Sequence, residues 1–244
     1  MKIIYKFFPK DLKISLFGIG WWFYTILTAL TLFIVSYIGN RFLDTDQRLK
    51  MILIISIIEF IIMRIYKNSL KYIRSDYNYY NELPCYLCNQ STILCIIASL
   101  INNTHIMAFC IIIGTLGAVL AFVLPDSYNK DQPFYSAQAV GFYGYHGLLI
   151  VTCLSFYTLH VYTPDPKDAL WNMFMIFFLA CLAHVINIYL IKTGLNPKAN
   201  YVYTVYPDNG FLKMLYKLNP HQLIYMLPIM FIFGAFSYIL LLIM

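Results

Sequence analysis

Residues 16–39 read LFGIGWWFYTILTALTLFIVSYIG, a run that contains no Asp, Glu, Lys or Arg. A helix that crosses a bilayer needs about 20 mostly apolar residues, and only helices and closed barrels satisfy their backbone hydrogen bonds in lipid. Because the run is continuous rather than alternating, it predicts a helix instead of a barrel strand. It exceeds the roughly 7–15 residues of the apolar region of a signal peptide, and no small-residue cleavage site follows. We therefore interpret it as an uncleaved first span.

The composition extends this interpretation to the whole chain. Of 244 residues, 61% are hydrophobic and only 11% are charged, whereas soluble domains carry about 25% charged residues. The chain is expected to be an all-α, polytopic membrane protein. The net charge of +6 is interpreted as a topology signal with some attraction to anionic lipid, and no nucleic-acid partner is expected.

Continuous apolar segments predict seven spans and hence a seven-transmembrane helix bundle. We find no internal repeat or linker, so residues 1–244 are expected to form a single integral membrane domain. The predicted spans are Leu16–Gly39, Met51–Tyr66, Leu83–Ile101, Met107–Leu124, Ala137–Tyr162, Ala169–Leu190 and Gln222–Met244.

Lysine and arginine fall unevenly on the two sides of such a bundle. Four lie on one side: Arg41, Arg48, Lys50 and Lys167. Thirteen lie on the other side: Lys2, Lys6, Lys10, Lys13, Arg64, Lys67, Lys71, Arg74, Lys130, Lys192, Lys198, Lys213 and Lys217. Because cytoplasmic loops are enriched in basic residues, this distribution predicts a cytoplasmic N-terminus, an outer C-terminus and a multi-pass location in the cell membrane.

Few ionisable or nucleophilic groups lie deep inside the predicted spans, and such groups are functional-site candidates by default. By helix rise, Cys88, Glu59, His184 and His146 lie roughly 7 to 14 Å from the same end of their spans. They are therefore expected to share one layer near the inner leaflet. His160 is expected only at the outer interface.

The segment LPCYLCNQST, residues 83–92, opens the third span with two thiols and several polar side chains. Pro84 is typical of a first helical turn, which predicts both Cys85 and Cys88 in the first two turns. A thiol there, aided by a histidine, suits acyl transfer through a thioester. The C-x-x-C spacing also supports disulfide exchange as a less favoured alternative, and small polar residues can simply pack membrane helices together. Structural zinc is not expected, because a second thiolate pair is missing.

Three motifs together resemble the YwaF-type family of bacterial integral membrane proteins: LPCYLC at 83–88, YHGL at 145–148 and NYVYTVYP at 200–207. The animal relatives of that family are described as cysteine-dependent phospholipid acyltransferases. The resemblance implies that Cys88 is the nucleophile and His146 the base or orienting residue. It also matches Asn200 and Tyr201 to the family's loop, while Tyr86 occupies a position that is histidine in many members.

The expected function is a membrane-embedded acyltransferase or transacylase that acts on glycerophospholipid or lysophospholipid, with phospholipid or acyl-CoA as acyl donor. The catalytic residues are predicted to be Cys88 and His146, and no metal or other cofactor is expected. The alternatives are a non-enzymatic transporter or lipid-binding protein and a C-x-x-C thiol oxidoreductase. The predicted substrate-binding residues are Glu59, His184, Asn187, Asn200 and Tyr201.

Overall fold

A computed structural model describes residues 13–73, 75, 77–125, 132–208 and 210–244. In these residues the chain is helical, and its β-structure is limited to an isolated bridge between Lys13 and Pro133. The helices are α1 Ile19–Phe42, α2 Thr45–Ser69, α3 Leu87–Ile101, α4 Thr104–Val123, α5 Ala137–Thr158, α6 Asp168–Lys192, α7 Gly210–Leu218 and α8 Leu227–Ile243. Short 3-10 turns occupy Leu70–Tyr72, Tyr79–Asn81, Tyr201–Tyr203 and Ile224–Met226.

Each predicted span overlaps one of these helices. Only some of the helices have the length and composition to cross a bilayer. Among the described residues, five candidates qualify: α1, α4, α5, α6 and the segment Ile224–Ile243 that includes α8. α2 is long enough but carries Arg48, Lys50, Glu59 and Arg64, and α3 has only 15 residues. The chain is thus a multi-pass membrane protein, and the count of seven crossings stays a prediction.

The helix ends differ from the predicted span ends where polar residues cap the helices. The Asp44 side chain accepts a hydrogen bond from the Gln47 backbone N–H, and the Gln47 side-chain oxygen accepts one from the Asp44 backbone N–H. This capping box starts α2 six residues before the predicted span. α5 ends at Thr158 instead of Tyr162, because His160 adopts a left-handed conformation with φ 54°. α7 was not predicted at all.

α5 is the central helix of the bundle. It packs against α1, α2, α3 and α4, while α6 packs against α4 and α8. Of the apolar stretch of α5, 67% is buried inside the protein, against 17% for α1. Because lipid covers a peripheral helix as well as protein does, α1 can keep large apolar side chains exposed on its outer face.

Close contacts around α5 depend on glycine. A Cβ at Gly141 would lie 2.1 Å from the Tyr66 ring on α2, whereas a Cβ at Gly144 would meet nothing within 4 Å. Near the other end of the bundle, a Cβ at Gly39 on α1 would lie 2.4 Å from Leu159. The tyrosine of α2 is therefore seated where α5 lacks a side chain.

A π-helical turn interrupts α4 at Cys110–Gly114. Such a turn inserts one extra residue into an α-helix and often marks a functional region. It brings Gly114 against α3, since a Cβ there would lie 3.2 Å from the Ser91 Cβ. Three residues on, Gly117 also faces α3, beside Leu87 and Cys88.

Candidate functional site

Cys88 is the second residue of α3 and is partly buried. Its thiol lies against α4, and a Cβ placed on Gly117 would be 3.7 Å from Sγ. The expectation that Cys85 shares the first turns of this helix is wrong. Tyr86 has an extended backbone and α3 begins at Leu87, so Pro84 and Cys85 precede the helix.

The two thiols of the C-x-x-C segment pack into different parts of the protein. Cys85 is buried in a cluster with Ala183 and Tyr201, whereas Cys88 packs against the main core between α3 and α4. All six cysteines are free. The described residues hold no group of three or more His, Cys, Asp or Glu side chains suited to bind a metal ion.

His146 is buried on α5 beside two aromatic rings. Its ring centroid lies 4.5 Å from that of Phe142 and 4.7 Å from that of Tyr145. Nδ1 lies 2.8 Å from the Phe142 carbonyl oxygen. A carbonyl only accepts hydrogen bonds, so Nδ1 is the donor and the neutral imidazole keeps its lone pair on Nε2. No hydrogen bond joins His146 to Cys88, both of which are described.

Lys67 lies in the last turn of α2, beside the start of α3. Its Nζ forms an ion pair of 2.7 Å with Glu82. The same nitrogen lies 5.8 Å from the ring centroid of Tyr86. In the sequence, Lys67 contributes only to the charge distribution, because its position at the end of a predicted span is typical of an ordinary flanking charge.

Glu59 belongs to a buried polar network that joins α2, α3 and α5. Thr92 donates a hydrogen bond of 2.6 Å to Glu59 Oε1, and its hydroxyl lies 3.1 Å from that of Tyr145. Tyr145 in turn donates to Asn89 Oδ1 at 3.0 Å. In the described part of the chain, Oε2 of Glu59 and Nδ2 of Asn89 have no partner at hydrogen-bonding distance.

Tyr145 and Asn89 were missed by sequence reasoning. Both are uncharged, and tyrosine is common in membrane proteins, so neither stands out along the chain. Tyr145 nevertheless lies near both residues of the predicted dyad. Its ring is next to that of His146, and its hydroxyl lies 3.1 Å from that of Thr92, which is 3.2 Å from the Cys88 carbonyl oxygen. Tyr145 could have been predicted from the sequence, because it directly precedes the histidine of the YHGL motif.

Asn187 and Tyr201 were predicted together, and the structure brings them into contact. Asn187 Nδ2 donates to the Tyr201 carbonyl at 2.9 Å and to the Thr204 hydroxyl at 3.0 Å. Its Oδ1 accepts from the Tyr201 backbone at 2.8 Å. His184 Nδ1 lies 3.3 Å from the same Thr204 hydroxyl. These residues form a second network, which shares no hydrogen bond with that of Glu59.

We call residues 200–206 the tyrosine loop. Asn200 holds it by accepting hydrogen bonds from the backbones of Val205 and Tyr206 and by donating one to the Tyr206 carbonyl. Tyr201 donates a hydrogen bond to the Tyr80 carbonyl, and burial raises the pKa of its phenol.

The tyrosine loop covers the start of α3. The ring of Tyr201 lies 4.9 Å from that of Tyr86, the N-cap residue of that helix. Tyr86 lies two residues before Cys88, so the tyrosine loop lies close to the helix turn that carries this thiol.

The sequence model of the TMEM164 family matches residues 15–244. The chain belongs to the TMEM164 family. This membership identifies a membrane protein family, while the YwaF-type resemblance stays a prediction. Searches of curated proteins and of solved structures found no significant match for this TMEM164 family member.

Proposed function

We propose that this TMEM164 family member is an acyltransferase or transacylase of the cell membrane that acts on glycerophospholipid and lysophospholipid through Cys88 and His146. One observation carries the proposal: the hydroxyl of Tyr145, the residue before His146, lies 3.1 Å from that of Thr92, which in turn lies 3.2 Å from the Cys88 carbonyl oxygen. The resemblance to cysteine-dependent phospholipid acyltransferases supplies the reaction class. In this proposal the chain crosses the membrane seven times with its N-terminus in the cytoplasm.

The first half-reaction forms a thioester. Nε2 of His146 takes the proton of the Cys88 thiol, and the sulfur attacks the carbonyl carbon of a phospholipid ester or of acyl-CoA. The C–O bond of the ester, or the C–S bond of acyl-CoA, then breaks. The leaving oxygen or sulfur takes the proton from His146, so lysophospholipid or CoA departs and the acyl group stays on Cys88.

The second half-reaction returns the enzyme to its starting state. His146 accepts the proton of a lysophospholipid hydroxyl, whose oxygen attacks the thioester carbonyl. The C–S bond breaks as the new ester forms, and the thiolate of Cys88 takes the proton back. No cofactor enters either step. The hydrogen bond from Nδ1 to the Phe142 carbonyl supports this role, because it presents Nε2 as the base in both steps.

The predicted binding residues enter the proposal in two groups. Glu59, held through Thr92 and close to Tyr145, would contact the polar part of the substrate from α2. His184, Asn187, Asn200 and Tyr201 would act from the tyrosine loop and from α6, where Asn187 and His184 bond to Thr204. A hydrogen bond from one of these side chains to the oxyanion would stabilise the tetrahedral intermediate.

The test is intact-protein mass spectrometry after incubation with acyl-labelled phospholipid or with acyl-CoA, with lysophospholipid withheld and a mild acid quench. We expect one hydroxylamine-sensitive acyl adduct in the parent protein and in the matched variant Cys85→Ala. Cys88→Ala should carry none. Adduct formation by Cys88→Ala, or full turnover by His146→Ala, would sink the proposed dyad.

A non-enzymatic transporter or lipid-binding protein is the second candidate. Glu59 favours it, because a fully buried carboxyl with a partnerless oxygen is a common feature of ion and substrate sites in membranes. In that case Cys88→Ser keeps most of the binding activity and Glu59→Gln loses it. The thiol oxidoreductase alternative predicts instead a loss of two hydrogens that depends on both Cys85 and Cys88.

A further inference from the structure

α7 has three distinct faces. Leu212 and Leu215 point into the protein and are buried. Phe211, Met214 and Leu218 are exposed, Leu218 to 79%. Lys213 and Lys217, four residues apart on one side of the helix, are exposed between these two apolar faces.

The contacts of α7 leave its outer apolar face without a protein partner. Its inner face belongs to the main core, where Leu212 and Leu215 pack with Tyr225 and Met226. A groove of about 180 Å³ runs between α7 and the start of α8 and is lined by Leu215, Leu218, Ile224 and Pro228, among others. The exposed face is therefore continuous with an apolar groove that is wide enough for part of a hydrocarbon chain.

The positive charge around α7 indicates a negatively charged partner. Between residues 192 and 221 the chain carries four lysines and a single acid, Asp208. A short helix with one apolar face and a lysine side lies in the plane of a membrane, where its lysines attract anionic headgroups. A transmembrane position is excluded, since nine residues span only about 14 Å.

We propose that α7 is an interfacial helix that docks on the anionic lipid surface on its side of the bundle. Phe211, Met214 and Leu218 enter the boundary between headgroups and acyl chains, and Lys213 and Lys217 bind lipid phosphates or carboxylates. This surface is separate from Cys88 and His146, and the inference does not depend on the proposed acyl transfer.

The position of α7 also links the lipid surface to the tyrosine loop. The backbone N–H of Leu223, after α7, donates to the Thr204 carbonyl at 2.8 Å, and Tyr225 donates to the Tyr203 carbonyl. A lipid bound along α7 would therefore lie beside the segment 223–225, which is hydrogen-bonded to the tyrosine loop.

The experiment is photo-crosslinking in vesicles of phosphatidylcholine and phosphatidylglycerol. Benzoylphenylalanine replaces Met214 on the outer face or, as the buried control, Leu212. We expect lipid adducts from position 214, enriched in phosphatidylglycerol above its mole fraction, and adducts only within the protein from position 212. The double variant Lys213→Glu with Lys217→Glu should lower the enrichment at least about fivefold, the factor that one lysine near an anionic surface contributes.

A charge-matched control separates local binding from net charge. Lys50→Glu with Lys167→Glu alters the same number of exposed lysines near the starts of α2 and α6 and should leave the enrichment at position 214 unchanged. Size-exclusion chromatography checks that each variant stays folded and monodisperse. The proposal is overturned if position 214 crosslinks mainly to protein, or if both double variants reduce the enrichment equally.

Discussion

At the scale of single residues, the hydroxyl of Tyr145 connects the two helices that carry the predicted dyad. It belongs to α5, next to His146, and bonds to Asn89 and Thr92 on α3. Thr92 lies one turn after Cys88 and donates to the Cys88 carbonyl at 3.2 Å. The position of the histidine relative to the thiol therefore depends on hydrogen bonds that neither residue makes itself.

We predict that Tyr145→Phe lowers the free energy of unfolding in detergent by about 1 to 3 kcal/mol. The ring is kept, but the buried Asn89 loses the partner of its carbonyl oxygen, and this range is typical of an unsatisfied buried group. The matched control is Tyr37→Phe, because Tyr37 is exposed and its hydroxyl makes no hydrogen bond among the described residues. Equal unfolding free energies for both variants would show that the network contributes little.

At the scale of helices, close packing of α2 on α5 depends on one glycine. The ring of Tyr66 occupies the space where a Cβ of Gly141 would stand. One turn on, Gly144 has open space around its Cα. Alanine at Gly141 would therefore clash with Tyr66, whereas alanine at Gly144 would meet no neighbouring atom.

Gly141→Ala is expected to destabilise the protein by about 1 to 3 kcal/mol, the usual cost of overpacking a core. Gly144→Ala should be neutral or stabilising by up to about 1 kcal/mol, because alanine favours a helix more than glycine does. Thermal unfolding in the same detergent measures both. If Gly144→Ala destabilises as strongly as Gly141→Ala, the contact with Tyr66 is not the cause.

At the scale of the whole molecule, α2 and α3 decide whether the chain crosses the bilayer five or seven times. Five helical segments have the length and hydropathy to cross by themselves. α2 and α3 nevertheless pack along each other and along α5, so they are members of the same bundle. Both five and seven crossings place the two termini on opposite sides, but they differ in the side on which residues 70–86 lie.

Membrane-impermeant maleimide labelling in intact cells distinguishes the two topologies. With seven crossings, Tyr79→Cys is protected until the membrane is permeabilised, whereas Asp46→Cys reacts at once. The parent protein, whose cysteines are partly or fully buried, gives the background. Labelling of both positions in intact cells would support five crossings. The orientation also rests on Lys2, Lys6, Lys10, Arg74 and Lys130, which lie outside the described residues.

The sequence was informative where a single segment carries the signal. Long apolar runs predicted the major helices, and Glu59 was found because a carboxylate inside such a run is rare. α7 was missed because its apolar residues alternate with lysines over only nine positions. The partners of Glu59 could not be predicted, since they depend on how α2, α3 and α5 are rotated about their axes.

The same dependence on rotation governs the π-helical turn of α4. Each residue advances an α-helix by about 100°, and the wider turn at Cys110–Gly114 accommodates one residue more than a regular turn. If the same residues formed a regular α-helix, Gly117 would rotate by about that angle away from the Cys88 thiol. A larger side chain would then face the sulfur, so one insertion in α4 sets how much room an acyl group has on the facing helix.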